Sequence, residues 1–113
     1  MKITLPPLNV TPAILMRNCG YVTIENPHKN NEISYARNLH AGNFYPRFHV
    51  YIEKTRQDTV LSLHLDAKKP SYEGANAHSG EYDGELVETE MQRLRAALTS
   101  FIADVAIPKK LGF

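Results

Sequence analysis

Of the five histidines in this 113-residue chain, His49 and His64 flank a short polar stretch, Asp66 follows two residues after the second, and His78 lies further along. Imidazole and carboxylate both suit Zn2+ or another borderline divalent ion, so His49, His64, Asp66 and His78 form a candidate ligand set. The same side chains admit a second chemistry. A histidine titrates near neutral pH, so His49 could act as general base or acid on a ribose hydroxyl or leaving oxygen of RNA, with His64 as its partner. Arg47 and Tyr51 would then stabilise charge on a phosphate, and Lys68 and Lys69 would extend the surface along a polyanion. A third reading is plainer: the face is simply polar and solvated. No HExxH helix and no CxxC pair selects among the three.

Other chemistries find no support in the spacing. Gly74, Gly80 and Gly84 match neither GxGxxG nor a P-loop, which removes the usual nucleotide cradles, and no Gly-x-Ser-x-Gly elbow marks a serine hydrolase. Cys19 is the only cysteine, so it has no intramolecular disulfide partner, and nothing near it would lower its pKa. It reads as core.

The elements that must position the histidines are legible in the period-two pattern of Phe48 to Lys54 and Thr59 to Asp66. With Thr55-Arg56-Gln57-Asp58 as the connection, these two strands pair as a hairpin in which Ile52 faces Leu61 and His49 faces His64. One face is then Phe48, Val50 and Ile52 with Leu61, Leu63 and Leu65, all apolar. The other carries Arg47, His49, Tyr51 and Glu53 with Val60, Ser62, His64 and Asp66. A loop of odd length would move polar groups into the core, so the even register is expected. Directly opposed residues have Cβ atoms about 4.5–5.5 Å apart, close enough for His49 and His64 to share one ion.

Around that hairpin the chain reads as one α+β domain over residues 1–113. It has a short N-terminal helix, a three- to four-stranded antiparallel sheet and a long C-terminal helix packed on one sheet face. Residues 1–10 form an extended start. Thr11 as N-cap, Pro12 at the first helical position and Gly20 as C-terminal cap bracket a helix from Pro12 to Cys19. Tyr21 to Glu25 and Ile33 to Leu39 read as two more strands. Residues 67–83 form a long loop, and residues 108–113 a tail after Pro108. From Glu85 to Ile107 the apolar residues Val87, Met91, Leu94, Leu98, Phe101 and Val105 recur in steps of four and three, widened by Leu86, Ala97 and Ile102. Packing on the hairpin explains that seam, and a homodimer contact through Val87, Met91, Leu94, Leu98 and Phe101 is the alternative. Glu85, Glu88 and Glu90 crowd the first turns, where the helix dipole favours negative charge.

At 42% apolar residues the chain can bury one core. The formal charge of +1 exerts no strong pull on polyanions, but it is unevenly spread. Arg37, Arg47, Lys54 and Arg56 stand against Glu53 alone, whereas Glu81 to Glu90 holds five acidic and no basic residues. That distribution permits a basic side and an acidic side, and with them nucleic-acid contact, but a solvated mixed surface is the commoner outcome. No segment approaches the roughly 18 apolar residues of a membrane helix, and the start lacks the pattern of a secretory signal, so a cytoplasmic location is the expectation.

The runs Ile14-Leu15-Met16-Arg17-Asn18-Cys19-Gly20-Tyr21, Phe48-His49-Val50-Tyr51 and Leu63-His64-Leu65 give the chain a resemblance to the HicA family of small toxins. Their fold is similar to a double-stranded-RNA-binding domain. The resemblance spans about Pro12 to Ala97 and implies an α-β-β-β-α order, with His49 matching by position the histidine associated with RNA cleavage. The family's Gly-Ser-His signature is replaced here by Asn43-Phe44-Tyr45-Pro46-Arg47-Phe48.

Overall fold

Thr11 begins the first helix as its residue type demands: its hydroxyl accepts a hydrogen bond from the Ile14 amide at 3.2 Å, and Pro12 occupies the first turn. The computed structural model describes residues 1–6, 8, 10–67, 80–81 and 84–105. Strand β1 spans Lys2–Leu5 and helix α1 spans Pro12–Asn18, capped by Cys19. Gly20 follows at φ +88°, a left-handed conformation that suits glycine, and lets the Tyr21 amide reach back to the Met16 carbonyl at 2.9 Å.

Strands β2 (Val22–Asn26), β3 (Glu32–Asn38), β4 (Arg47–Lys54) and β5 (Thr59–Asp66) come next, then the two-residue β6 (Gly80–Glu81) and helix α2 (Glu85–Val105). The molecule is α+β. Its antiparallel sheet has the order β1-β5-β4-β3-β2, with β6 also pairing with β5, so it has more strands than the three or four expected. The additions are β1, which pairs with Thr59 to Ser62, and β6, which pairs with Leu65 and Asp66 inside what reads as an unbroken loop over 67–83. Two-residue strands leave too little alternation to be seen in a sequence.

The hairpin register is the expected one. Ile52 faces Leu61, His49 faces His64 and Arg47 faces Asp66. Thr55 closes the four-residue connection: its amide donates to the Asp58 carbonyl, and its hydroxyl accepts from the Gln57 and Asp58 amides. Side chain and backbone together replace the glycine that a tighter turn would need.

On the apolar face, Ile3, Tyr35, Phe48, Val50, Leu61, Leu63 and Leu65 are buried against α1 and α2. Leu15 and Met16 come from α1, and Val87, Met91, Leu94 and Leu98 from α2, all nearly inaccessible. This leaves the homodimer through that seam without support. Those four side chains are already spent in the chain's own core, and Phe101 packs partly buried against it, so a partner would have to peel α2 from the sheet. Leu86, expected to widen the seam, instead points outward at 51% exposure, whereas Ala97 and Ile102 do pack on the core. Among the described residues, no helix is long and apolar enough to cross a membrane.

Candidate functional site

The opposite face of the sheet carries the histidines, and it is more enclosed than a solvated polar face would be. Arg47, His49 and His64 are each under 8% exposed. Strand β3 explains part of this: Ala36 pairs with His49, which brings Ser34, two residues earlier on the same face, alongside the imidazole. The His49 Nε2 lies 2.6 Å from Ser34 Oγ, and its Nδ1–H donates to Asp66 Oδ2 at 2.9 Å. His64 Nε2–H donates to Asp66 Oδ1 at 2.8 Å, and Arg47 Nε–H to Oδ2 at 3.1 Å. One carboxylate therefore gathers two imidazoles and a guanidinium. Above Arg47 lie the rings of Tyr45 and Phe44, with centroids 4.6 and 5.5 Å from its central carbon. Tyr51, half-buried, sits 4.5 Å from the His49 ring and stacks on His64 at 5.6 Å.

The protonation states follow from these surroundings. Burial pushes the His49 pKa below its ordinary value, and this outweighs the opposing hydrogen bond and charge of Asp66. The ring is neutral at neutral pH. Burial alone would raise Asp66, but the hydrogen bonds from His49 and His64, with their charges, hold its carboxyl well below the usual carboxylate range. A neutral His49 that donates through Nδ1 accepts the Ser34 hydroxyl proton at Nε2.

Ser34, His49 and Asp66 thus have the connectivity of a nucleophilic triad, yet the setting is wrong for one. Strand β3 lies inside the sheet between β2 and β4, and Ser34 itself is paired with Ile24 in mid-strand rather than set on an exposed turn. Ser34 is also only 3% exposed. Its role is to fix the orientation of His49.

Of the residues expected to act here, the fold brings together His49, His64, Asp66, Arg47 and Tyr51. Lys68, Lys69 and His78 lie outside the described residues. Arg47 differs from its expected role as an exposed phosphate contact, because it is buried, bonded to Asp66 and covered by aromatic rings. One potential ligand atom from each of His49, His64 and Asp66 lies within 4.8 Å of the others. Two outer partners support that trio: Ser34 on His49, and Arg47 on Asp66. Such contacts orient metal ligands in general.

A second polar cluster sits at the other face. Glu90 is buried and accepts four hydrogen bonds: from Tyr21 Oη at 2.6 Å, Arg37 Nη1 at 3.2 Å, and Arg93 Nε and Nη2 at 2.8 Å each. Arg93 Nη2 also donates to the Cys19 carbonyl at 2.7 Å, so the carboxylate ties α2 to β3 and to the end of α1. Burial, with the hydrogen bond to Glu90, pushes the Tyr21 phenol far above its ordinary range. Burial also raises the Cys19 thiol, as its core assignment requires. Arg47, one of the four cations that could form a basic side, is thereby paired with Asp66, and Arg37 shares Glu90 with Arg93.

Neither Ser34 nor Glu90 stands out by motif. Glu90 nevertheless carried a signal, since it lies three residues after Val87 and four before Leu94, on the buried side of the helix. Ser34 becomes visible only once β3 is aligned with β4, and that register depends on the connection through residues 39–46. No protein-family model, no curated protein and no solved structure matches this chain.

Proposed function

We propose that the chain binds one borderline divalent cation such as Zn2+ through His49, His64 and Asp66. The observation that carries this reading is the trio itself: three potential ligand atoms within 4.8 Å, two of their residues backed by Ser34 and Arg47. His49 held neutral and Asp66 held ionised are the forms that bind metal. Coordination through His49 Nδ1 requires the other neutral tautomer, in which Nε2–H donates to Ser34 Oγ; a hydroxyl rotates to serve either form. Arg47 keeps Asp66 anchored while its oxygens trade imidazole protons for a cation. Three protein ligands leave a position for water or a substrate oxygen, which is the pattern of hydrolytic zinc sites.

Elemental analysis of untagged protein, followed by Zn2+ titration after chelation, tests the proposal. About one equivalent is expected, with His64→Ala and Asp66→Ala each weakening binding at least about tenfold. Less than about a tenth of an equivalent, with no saturable binding on titration, sinks it.

A second reading rests on the shared carboxylate. The His49 and His64 rings are 4.9 Å apart and both are oriented by Asp66, as a base and acid acting on RNA would be. The HicA resemblance motivates it, although β2 to β5 and the short β6 stand between the helices where that resemblance implies three strands, and Arg47, already paired with Asp66, offers little to a phosphate. This reading requires RNA cleavage that survives chelation and disappears in His49→Ala. Cleavage absent from chelated protein, or unchanged by that substitution, removes it.

A further inference from the structure

A cleft of about 540 Å³ opens between the first turns of α2 and the adjoining ends of β3 and β4, on the side of the sheet away from the histidines. Its volume falls within the range of ordinary small-molecule sites. Leu39 and Phe48 line it from the sheet side, and Leu86, one of the most exposed large apolar side chains described, lines it from the helix. An outward leucine beside a phenylalanine gives an apolar body something to pack against.

Charge sets the other half of the chemistry. Arg93 grips Glu90 with two N–H groups at 2.8 Å and spends Nη2 on the Cys19 carbonyl as well, so its donors are turned inward. Arg37 contributes only Nη1, at the longer 3.2 Å, leaving its Nε–H and Nη2 group without a partner among the described residues. Its side chain is 37% exposed and lines the cleft. Glu90 is thus shared by two guanidiniums, which leaves the cluster one positive charge in excess, and Arg37 carries its open edge into the cleft; the opposing charge in the lining is Glu85, an exposed residue at the start of α2.

We infer that this cleft binds a small amphipathic anion, a carboxylate carried on an aliphatic body. The carboxylate pairs with the free edge of Arg37, and the chain lies over Leu39, Phe48 and Leu86. The inference does not depend on the metal reading.

Octanoate is the probe, titrated into chelated full-length protein and followed by amide chemical shifts, with octanol as its uncharged twin. Saturable shifts centred on Arg37, Leu86 and Thr89 are expected, complete by about 10 mM ligand. Arg37→Gln should weaken binding at least about fivefold, because a charge-assisted two-point contact is lost. Leu86→Asp, at an exposed position where folding is not at risk, should do the same by placing a carboxylate in the apolar half. Failure to saturate by that concentration overturns the inference. So do shifts centred elsewhere, an octanol affinity equal to that of octanoate, or an Arg37→Gln variant that binds within about twofold of the parent.

Discussion

Replacing Asp66 by Asn keeps the shape of the side chain while removing the charge that three buried donors share. The Arg47 side chain, only 9% exposed, would lose its counter-ion with little access to water, and the new amide would place its own N–H groups against His64 Nε2. Breaking a buried pair in this way costs about 3–5 kcal/mol. The Tyr45 and Phe44 rings over Arg47 return roughly 0.5–2 kcal/mol of cation–π attraction in either protein, so they soften the loss without cancelling it. The expectation for chelated Asp66→Asn is therefore about 3 kcal/mol, or roughly 10–15 °C in Tm for a domain of this size. Urea unfolding of the single variants and of the Arg47→Met/Asp66→Asn double variant gives the coupling directly. If the stranded guanidinium is the cause, the double variant should be more stable than the sum of the singles by at least about 1.5 kcal/mol. A loss below about 1 kcal/mol for Asp66→Asn, or additivity within about 0.5 kcal/mol, would refute the reasoning.

Glu90→Gln makes the contrasting case: Arg37 and Arg93 are each 37% exposed and can turn to water, so the cost in urea should be smaller, about 1–2 kcal/mol. Stability should also depend on pH through His49 and Asp66. Folded His49 has the lower pKa, so the unfolded chain takes up a proton below about pH 6.5 that the native site resists, and unfolding midpoints should fall as pH drops from there. The depressed Asp66 adds stability that is present above about pH 3.9 and is lost as pH falls further; His49→Asn should flatten the curve just below about pH 6.5 and also shrink the lower limb, because His49 is one of the two imidazoles that depress Asp66. On α2, Leu94→Ala should cost about 2–5 kcal/mol because the side chain is fully buried, whereas Leu86→Ala should stay within about 0.5 kcal/mol in ligand-free protein.

The β4–β5 register was fully legible because a period-two pattern on both strands and an even connection leave one pairing that keeps all six apolar residues together. That reasoning placed His49 against His64 and Arg47 beside Asp66 without any coordinates. Enclosure was not legible. Whether a polar strand face is open depends on residues outside the two strands, here Phe44 and Tyr45 folding back over Arg47 from the preceding connection and Ser34 reaching His49 from β3, and alternation carries no record of them. Charges misled for a related reason. Glu90 looks like a dipole-favoured surface residue, and only its offset from Val87 and Leu94 hints that it is buried with two arginines and a phenol. Short elements such as β6 were invisible because two residues cannot show a period.

The placement of Tyr51 has an optical consequence. The chain has no tryptophan and six tyrosines, so its near-ultraviolet dichroism comes chiefly from phenol rings in fixed asymmetric surroundings. Tyr51 lies against both imidazoles, stacked on one and tilted to the other. Any event that turns those rings, whether a cation replacing their shared protons or acid charging His49, changes the field around that phenol. Tyr51 is therefore a label-free gauge of the state of those rings, and of the proposed cation, and Tyr51→Phe is the variant that identifies the signal.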